Sequence, residues 1–269
     1  MPCKRTTGLT CRRVIVALAC IVVIGAVVGY LVVWVEGLPG PHHGAYLAFG
    51  SLHNIREGFR DYDEAHGHLP PTTTTDAKSG ERSSWRIEVY QSHVHLGFIT
   101  APKTNGNDSI DYDRHKAWND PDNLRLQGLG AWLFRYTQVD ACPPGQSMGK
   151  ASIYTTYYKA ITGPSTAFDS AKPPSLKELP NALILVARVE HSDTHWMEPG
   201  DLSIEQLAPP EETKRLLLGK DGYVVLFADG EGWVLSGKTP ILDLCKFFTI
   251  EGAKQSDREQ ILGPYRVLP

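Results

Sequence analysis

The chain has 269 residues, 42% hydrophobic and 21% charged, which excludes a wholly disordered or collagen-like protein. Its charge is split along its length. Lys4, Arg5, Arg12 and Arg13 precede the first acidic residue, Glu36, so residues 1–35 carry +4, while the remainder, with 23 bases against 30 acids, carries −7. A mildly acidic body of 233 residues argues against nucleic acid as a partner and is long enough for one large or two small domains.

Residues 14–35 form a charge-free run of 22, interrupted only by Gly25 and Gly29. As a helix it would be about 33 Å long, enough to cross a bilayer core. The run is longer than the apolar stretch of a cleaved signal peptide and ends without a small-x-small site, so it reads as an uncleaved transmembrane helix. The basic residues 1–13 then stay in the cytoplasm, and the C-terminal body lies outside it at the cell membrane. Gly25 and Gly29 make a G-x-x-x-G pair, which leaves a homo-oligomer open as a reading beside the general abundance of glycine in membrane helices. Of the five cysteines, only Cys142 and Cys245 follow the run; a bridge between them and two free thiols both stand open.

Residues 36–44 are a breaker-rich linker, and an extracytoplasmic domain is expected over 45–269. Ala48, Leu52, Ile55, Phe59 and Tyr62 draw one apolar stripe, predicting an amphipathic helix from Ala45 that stops at Gly67. Residues 72–84 are polar and read as loop. Trp85, Ile87 and Val89 alternate with Arg86, Glu88 and Tyr90, a half-buried strand pattern. Residues 100–123 read as loop, with Asp120-Pro121 opening a short helix. Strands are expected at 157–161 and, centrally, at 182–189. Residues 223–227 and 233–235 flank Asp229-Gly230, a hairpin signal. Thr239-Pro240 caps a final helix with Ile241, Leu244, Cys245 and Phe248 on one face.

Several landmarks fall in order: LHNIREGFRDYDEAHGHLPP at 52–71, Ser84-Trp85-Arg86, WNDPDN within 117–123, Val139-Asp140-Ala141-Cys142-Pro143, ITGPSTAF at 161–168, WMEPGDL at 196–202 and VLFADG at 225–230. Together they resemble a pilin-like family of unknown function abundant in planctomycete bacteria, over about residues 45–260. The resemblance implies an α+β fold: an N-terminal transmembrane helix, then an amphipathic helix packed on an antiparallel sheet. It implies an antiparallel terminal hairpin at Asp229-Gly230. The chain departs from the family at three places. Gly219 stands where the family's H-x9-D-G pattern has histidine, Ala48 stands where it has a helix cysteine, and the prepilin leader is missing. After Gly8 the fifth residue is Arg13 rather than glutamate, so the chain is not expected to be a processed pilus subunit.

Catalytic patterns are sparse. Gly145-Gln146-Ser147-Met148-Gly149 fits the nucleophile elbow, which needs a strand before the serine; Cys142-Pro143-Pro144 stands there instead. Ser147 as the nucleophile of a hydrolase is thus the remote alternative. His93 with His95, which would share a face on a strand, and His191 with His195 are the histidine pairs weighed as metal ligands. Asn105, Asn107, Asp108, Asp111 and Asp113 offer oxygen ligands without EF-hand spacing, and some pseudopilins, which the chain resembles in architecture, hold calcium in such loops. The expectation is a non-enzymatic, cofactor-free, membrane-anchored protein acting on an envelope protein partner, with an extracytoplasmic ligand- or ion-binding module as the alternative.

Overall fold

The fold is given by a computed structural model that describes residues 43–95, 111–134, 154–169 and 172–267. The chain divides into two units, Met1–His43 and Gly44–Pro269, and apart from His43 every described residue belongs to the second. The apolar run 14–35, Asp108, Cys142 and Ser147 lie outside the described residues. Among the described residues no helix is long and apolar enough to cross a membrane.

Helix α1 spans His43–His66. Its stripe is the core side: Ala48, Leu52, Ile55 and Phe59 are all buried. It ends where Gly67 adopts φ +73°, a left-handed conformation that glycine enters without Cβ strain, and the Gly67 amide donates to Asp63 O at 2.7 Å.

The polar stretch expected as loop contains a small antiparallel pair instead, β1 (Thr73–Thr75) and β2 (Arg82–Ser84), with Thr73 opposite Ser84. Asp76 shapes the connection, its Oδ1 accepting from the amides of Lys78 and Ser79 at 2.9 and 2.8 Å.

The strand expected at Trp85 is corrected to helix α2, Trp85–His95. Ser84 Oγ accepts from the Arg86 amide at 3.3 Å, satisfying one of the first-turn donors that a helix leaves unpaired. The alternation misled because polar and apolar residues are buried alike: Arg86 is 0% and Glu88 6% exposed, beside Trp85, Ile87 and Val89 at 0%. Tertiary partners, not solvent, satisfy those charges.

Helix α3 (Pro121–Leu124) is capped by Asp120, and α4 spans Gln127–Phe134. The main sheet has the order β5-β3-β4-β6-β7, built from β3 (Tyr158–Thr162), β4 (Ile184–Arg188), β5 (Leu202–Ser203), β6 (Tyr223–Phe227) and β7 (Gly232–Leu235). β3, β4, β6 and β7 pair antiparallel in that order, and β5 adds parallel to β3. All five residues of β4 and of β6 are buried, so both faces of the sheet centre are covered.

Register identifies the covers. Tyr158, Ala160, Val186, Leu226 and Gly232 share one face. On it, the Tyr158 hydroxyl donates to Ala48 O at 3.4 Å, and a Cβ at Gly232 would meet Leu52, which places α1 there. Phe227 and Trp233 lie on the other face, where Phe227 meets Phe247 edge-on at 6.5 Å and the Arg258 guanidinium sits 4.6 Å from both ring centroids. The protein is therefore α+β, with a long helix on one face of a largely antiparallel sheet and short C-terminal helices on the other.

Between β5 and β6 run α5 (Ile204–Leu207) and α6 (Pro210–Leu217). The helix expected to end the chain is short and not the last. α7 is only Ile241–Cys245, followed by a 3-10 turn at Lys246–Phe248, then α8 (Ile250–Gln255) and α9 (Arg258–Ile261). Thr239 does not cap it; its hydroxyl donates to Ser236 O at 2.7 Å, and Pro240 holds the cap position without a side-chain bond.

Candidate functional site

The first cluster of chemistry is a buried ionic node. Arg86 on α2 and Asp201 ahead of β5 form an ion pair at 2.8 Å, with side chains 0% and 5% exposed. Arg86 Nε and Nη2 donate to Tyr158 O at 3.2 and 2.7 Å, and Nη1 donates to Ser84 Oγ at 2.8 Å. Asp201 Oδ1 also accepts from Trp85 Nε1 at 3.0 Å and from the Ala160 amide at 2.8 Å. One carboxylate thus fastens the start of α2, strand β3 and the approach to β5. Burial draws the Arg86 pKa down, and Asp201 opposes that.

Lys159 lies beside this pair, 8% exposed, donating to Thr194 Oγ1 at 2.6 Å and Gly200 O at 3.0 Å. Burial, then the nearby Arg86 charge, lowers its pKa to about 8. A buried amine of that kind can act as a base or nucleophile. Here its donors are spent on a hydroxyl and a carbonyl that hold the 194–200 loop, which is a structural employment.

The second cluster is an open cleft of about 370 Å³ at the rim of the β1–β2 pair, lined by Gly80, Glu81, Arg82, Ala117, Trp118, Asn119, Glu198 and Pro199. The loop that brings Trp118 here is built around Asn123, 1% exposed. Its Oδ1 accepts from the Asp113 amide at 2.8 Å, and its Nδ2 donates to Asp113 O and Ala117 O at 3.0 and 2.9 Å. Arg114 clamps the same loop to α2 through both oxygens of Glu88, at 2.5 and 2.6 Å. His115 Nδ1 lies 3.0 Å from Asp76 Oδ2, joining the loop to the β1–β2 connection.

Behind Trp118 stands His195. The two rings stack at 5.0 Å with planes 24° apart, and Trp196 lies 6.3 Å beyond, also at 24°. Nδ1 accepts from the Met197 amide at 3.2 Å, which puts the proton of the neutral ring on Nε2. That Nε2 is buried and has no hydrogen-bond partner among the described residues. Burial pushes the His195 pKa down to about 4, so the ring is neutral at pH 7.

The described sequence candidates have separate local settings. Asp111 is exposed, and Asp113 accepts from the His115 amide at 3.0 Å with the Lys116 ammonium 4.0 Å away. Among the described residues no group of three His, Cys, Asp or Glu could hold a metal ion; Asp108, the third acid of the calcium reading, lies outside them with Asn105 and Asn107. His93 and His95 end α2, so the strand geometry that would have given them a common face does not hold. His191 is exposed in an irregular segment, whereas His195 belongs to the aromatic stack. Cys245 is a half-buried free thiol whose pKa burial raises.

Asp229 and Gly230 lie between β6 and β7. Asp229 Oδ1 accepts from the Glu231 amide at 2.9 Å, and Oδ2 pairs with Arg258 Nη1 at 2.7 Å. Gly219 sits where a Cβ would run into the Arg188 guanidinium and the Glu190 carboxylate. In this chain the buried Arg188, paired with Asp221 at 3.3 Å, fills the space a side chain at 219 would need.

Sequence reasoning missed the Arg86–Asp201 pair, Lys159 and the Trp118–His195 stack. The available signal was positional: Ser84-Trp85-Arg86, WNDPDN and WMEPGDL are separate landmarks that the fold brings to one corner. Compared with family models, with curated proteins and with solved structures, the chain matches none.

Proposed function

We propose that the protein is a membrane-anchored extracytoplasmic structural or interaction protein with a pilin-like body, tethered by residues 14–35 and acting through protein contacts rather than catalysis. The observation that carries this reading is α1: the 24-residue helix that follows the apolar run in sequence lays its apolar stripe on a largely antiparallel sheet. Internal employment of the reactive groups supports it further. Arg86, Asp201 and Lys159 hold backbone and neighbouring side chains in place.

The test uses the full chain. A C-terminal alkaline phosphatase fusion in a bacterial host is expected to be active and to sediment with membranes; activity of a cytoplasmic reporter at the same position overturns the topology. Crosslinking of the intact protein in its native membrane is expected to capture a reproducible envelope partner or a second copy. A mature chain starting at Leu9 would instead restore the processed pilus subunit.

A further inference from the structure

We infer that the cleft beside Trp118 is a binding site for a neutral saccharide of about disaccharide size. Its volume, about 370 Å³, lies within the range of small-molecule sites. Its lining combines one indole with a hydroxyl-recognising set: two carboxylates (Glu81 and Glu198), one amide (Asn119) and one guanidinium (Arg82). A sugar ring needs both. Its C–H face packs on an aromatic ring, and its hydroxyls donate to carboxylates and accept from amide and guanidinium N–H groups.

Those polar groups are open for such use. Among the described residues, the side chains of Glu81, Arg82 and Asn119 make no hydrogen bond or ion pair, and Arg82 and Asn119 are exposed. The indole, by contrast, is held. His195 stacks on it, the Asn123 bonds fix its loop, and Glu198 is oriented because its Oε2 accepts from the His195 amide at 3.3 Å. Such a pre-ordered aromatic surface spares the ligand the entropy of arranging it. Two carboxylates face one guanidinium, so charge by itself does not choose between a neutral and a cationic ligand; the ring geometry does. The ring behind Trp118 is a neutral histidine, and a single indole is not the multi-ring cage that a quaternary ammonium prefers.

The test is saturation-transfer difference NMR and calorimetric titration of the full chain in a detergent without a sugar headgroup. The probes are maltose, cellobiose and N,N′-diacetylchitobiose, with choline as a separate arm. At least one disaccharide is expected to bind in the millimolar range, with saturation strongest at ring C–H protons. The double variant Arg82→Ala/Asn119→Ala changes exposed side chains and is expected to keep its melting temperature while weakening binding about tenfold. Trp118→Ala is expected to weaken it further, with the double variant standing as the folded control. Absence of binding by all three disaccharides overturns the proposal. So does an unchanged affinity in the double variant, or binding of choline in place of the sugars.

Discussion

Two tryptophan-centred nodes hold this protein together, and they solve the same problem in opposite ways. At the first, Trp85 and Arg86 meet Asp201 in the interior, with the ionic side chains 0% and 5% exposed. At the second, Trp233 and Phe227 carry Arg258, whose guanidinium lies 4.6 Å from both rings and pairs with Asp229, at side-chain exposures of 12% and 20%. The interior pair joins segments 115 residues apart in the chain, whereas Asp229 belongs to the turn beside its own strands. A buried charge stripped of its partner has no water to fall back on, while a rim charge does. The interior node should therefore be brittle and the rim node tolerant.

The largest expected effect comes from breaking the interior pair. Asp201→Ala leaves the Arg86 guanidinium, Trp85 Nε1 and the Ala160 amide without their shared acceptor and should destabilise the body by about 3–5 kcal/mol in chemical denaturation. Asp201→Asn keeps an oxygen for the neutral donors and should lose clearly less. Equal losses in the two variants would mean that the lost charge, and not the lost acceptor for the neutral donors, accounts for the whole effect.

Lys159 sharpens the same point through pH. Its folded pKa of about 8 lies below the ordinary lysine value of 10.5, so the unfolded chain binds more protons between those values, and stability rises with pH across the window. Between pH 7 and pH 9.5 the gain should be about 2 kcal/mol, read as a rising unfolding midpoint. Lys159→Met should flatten it. Tyr158, held up at about 12 mainly by burial, contributes the opposite trend only above its unfolded value of 10, outside that range.

The rim node should respond more mildly. Gly230 has φ +85°, and a Cβ there would come within 2.8 Å of Arg56 Cδ on α1. Gly230→Val is expected to cost about 1–2 kcal/mol, from backbone strain and from displacing that flexible arginine. Arg258→Ala removes the Asp229 pair and both ring contacts and should cost about 1 kcal/mol in the same denaturation assay. A loss as large as that of Asp201→Ala would break the comparison between the nodes.

Legibility in the sequence follows the same division. The stripe of α1, its stop at Gly67, the central position of β4 and the β6–β7 pairing all follow from periodicity and turn chemistry, because each depends on residues within a few positions. The segment from Trp85 was misread because the partners that bury Arg86 and Glu88 are Asp201 and Arg114, invisible to a local window. The β1–β2 pair was missed for a related reason: a threonine-rich stretch is polar by composition, yet Asp76 folds it back on itself.

The sequence by itself determined the period-3.6 stripe that α1 buries, the apolar strands β4 and β6, and the turn at Asp229-Gly230, since short-range sterics and hydrophobic alternation suffice for each. Only the tertiary structure decided that Arg86 could be buried, that Lys159 would lie beside it, and that Trp118 and His195 would stack at the edge of one cleft. Desolvating a charge or aligning two rings depends on groups that the chain brings together across tens of residues, and no local pattern encodes their meeting.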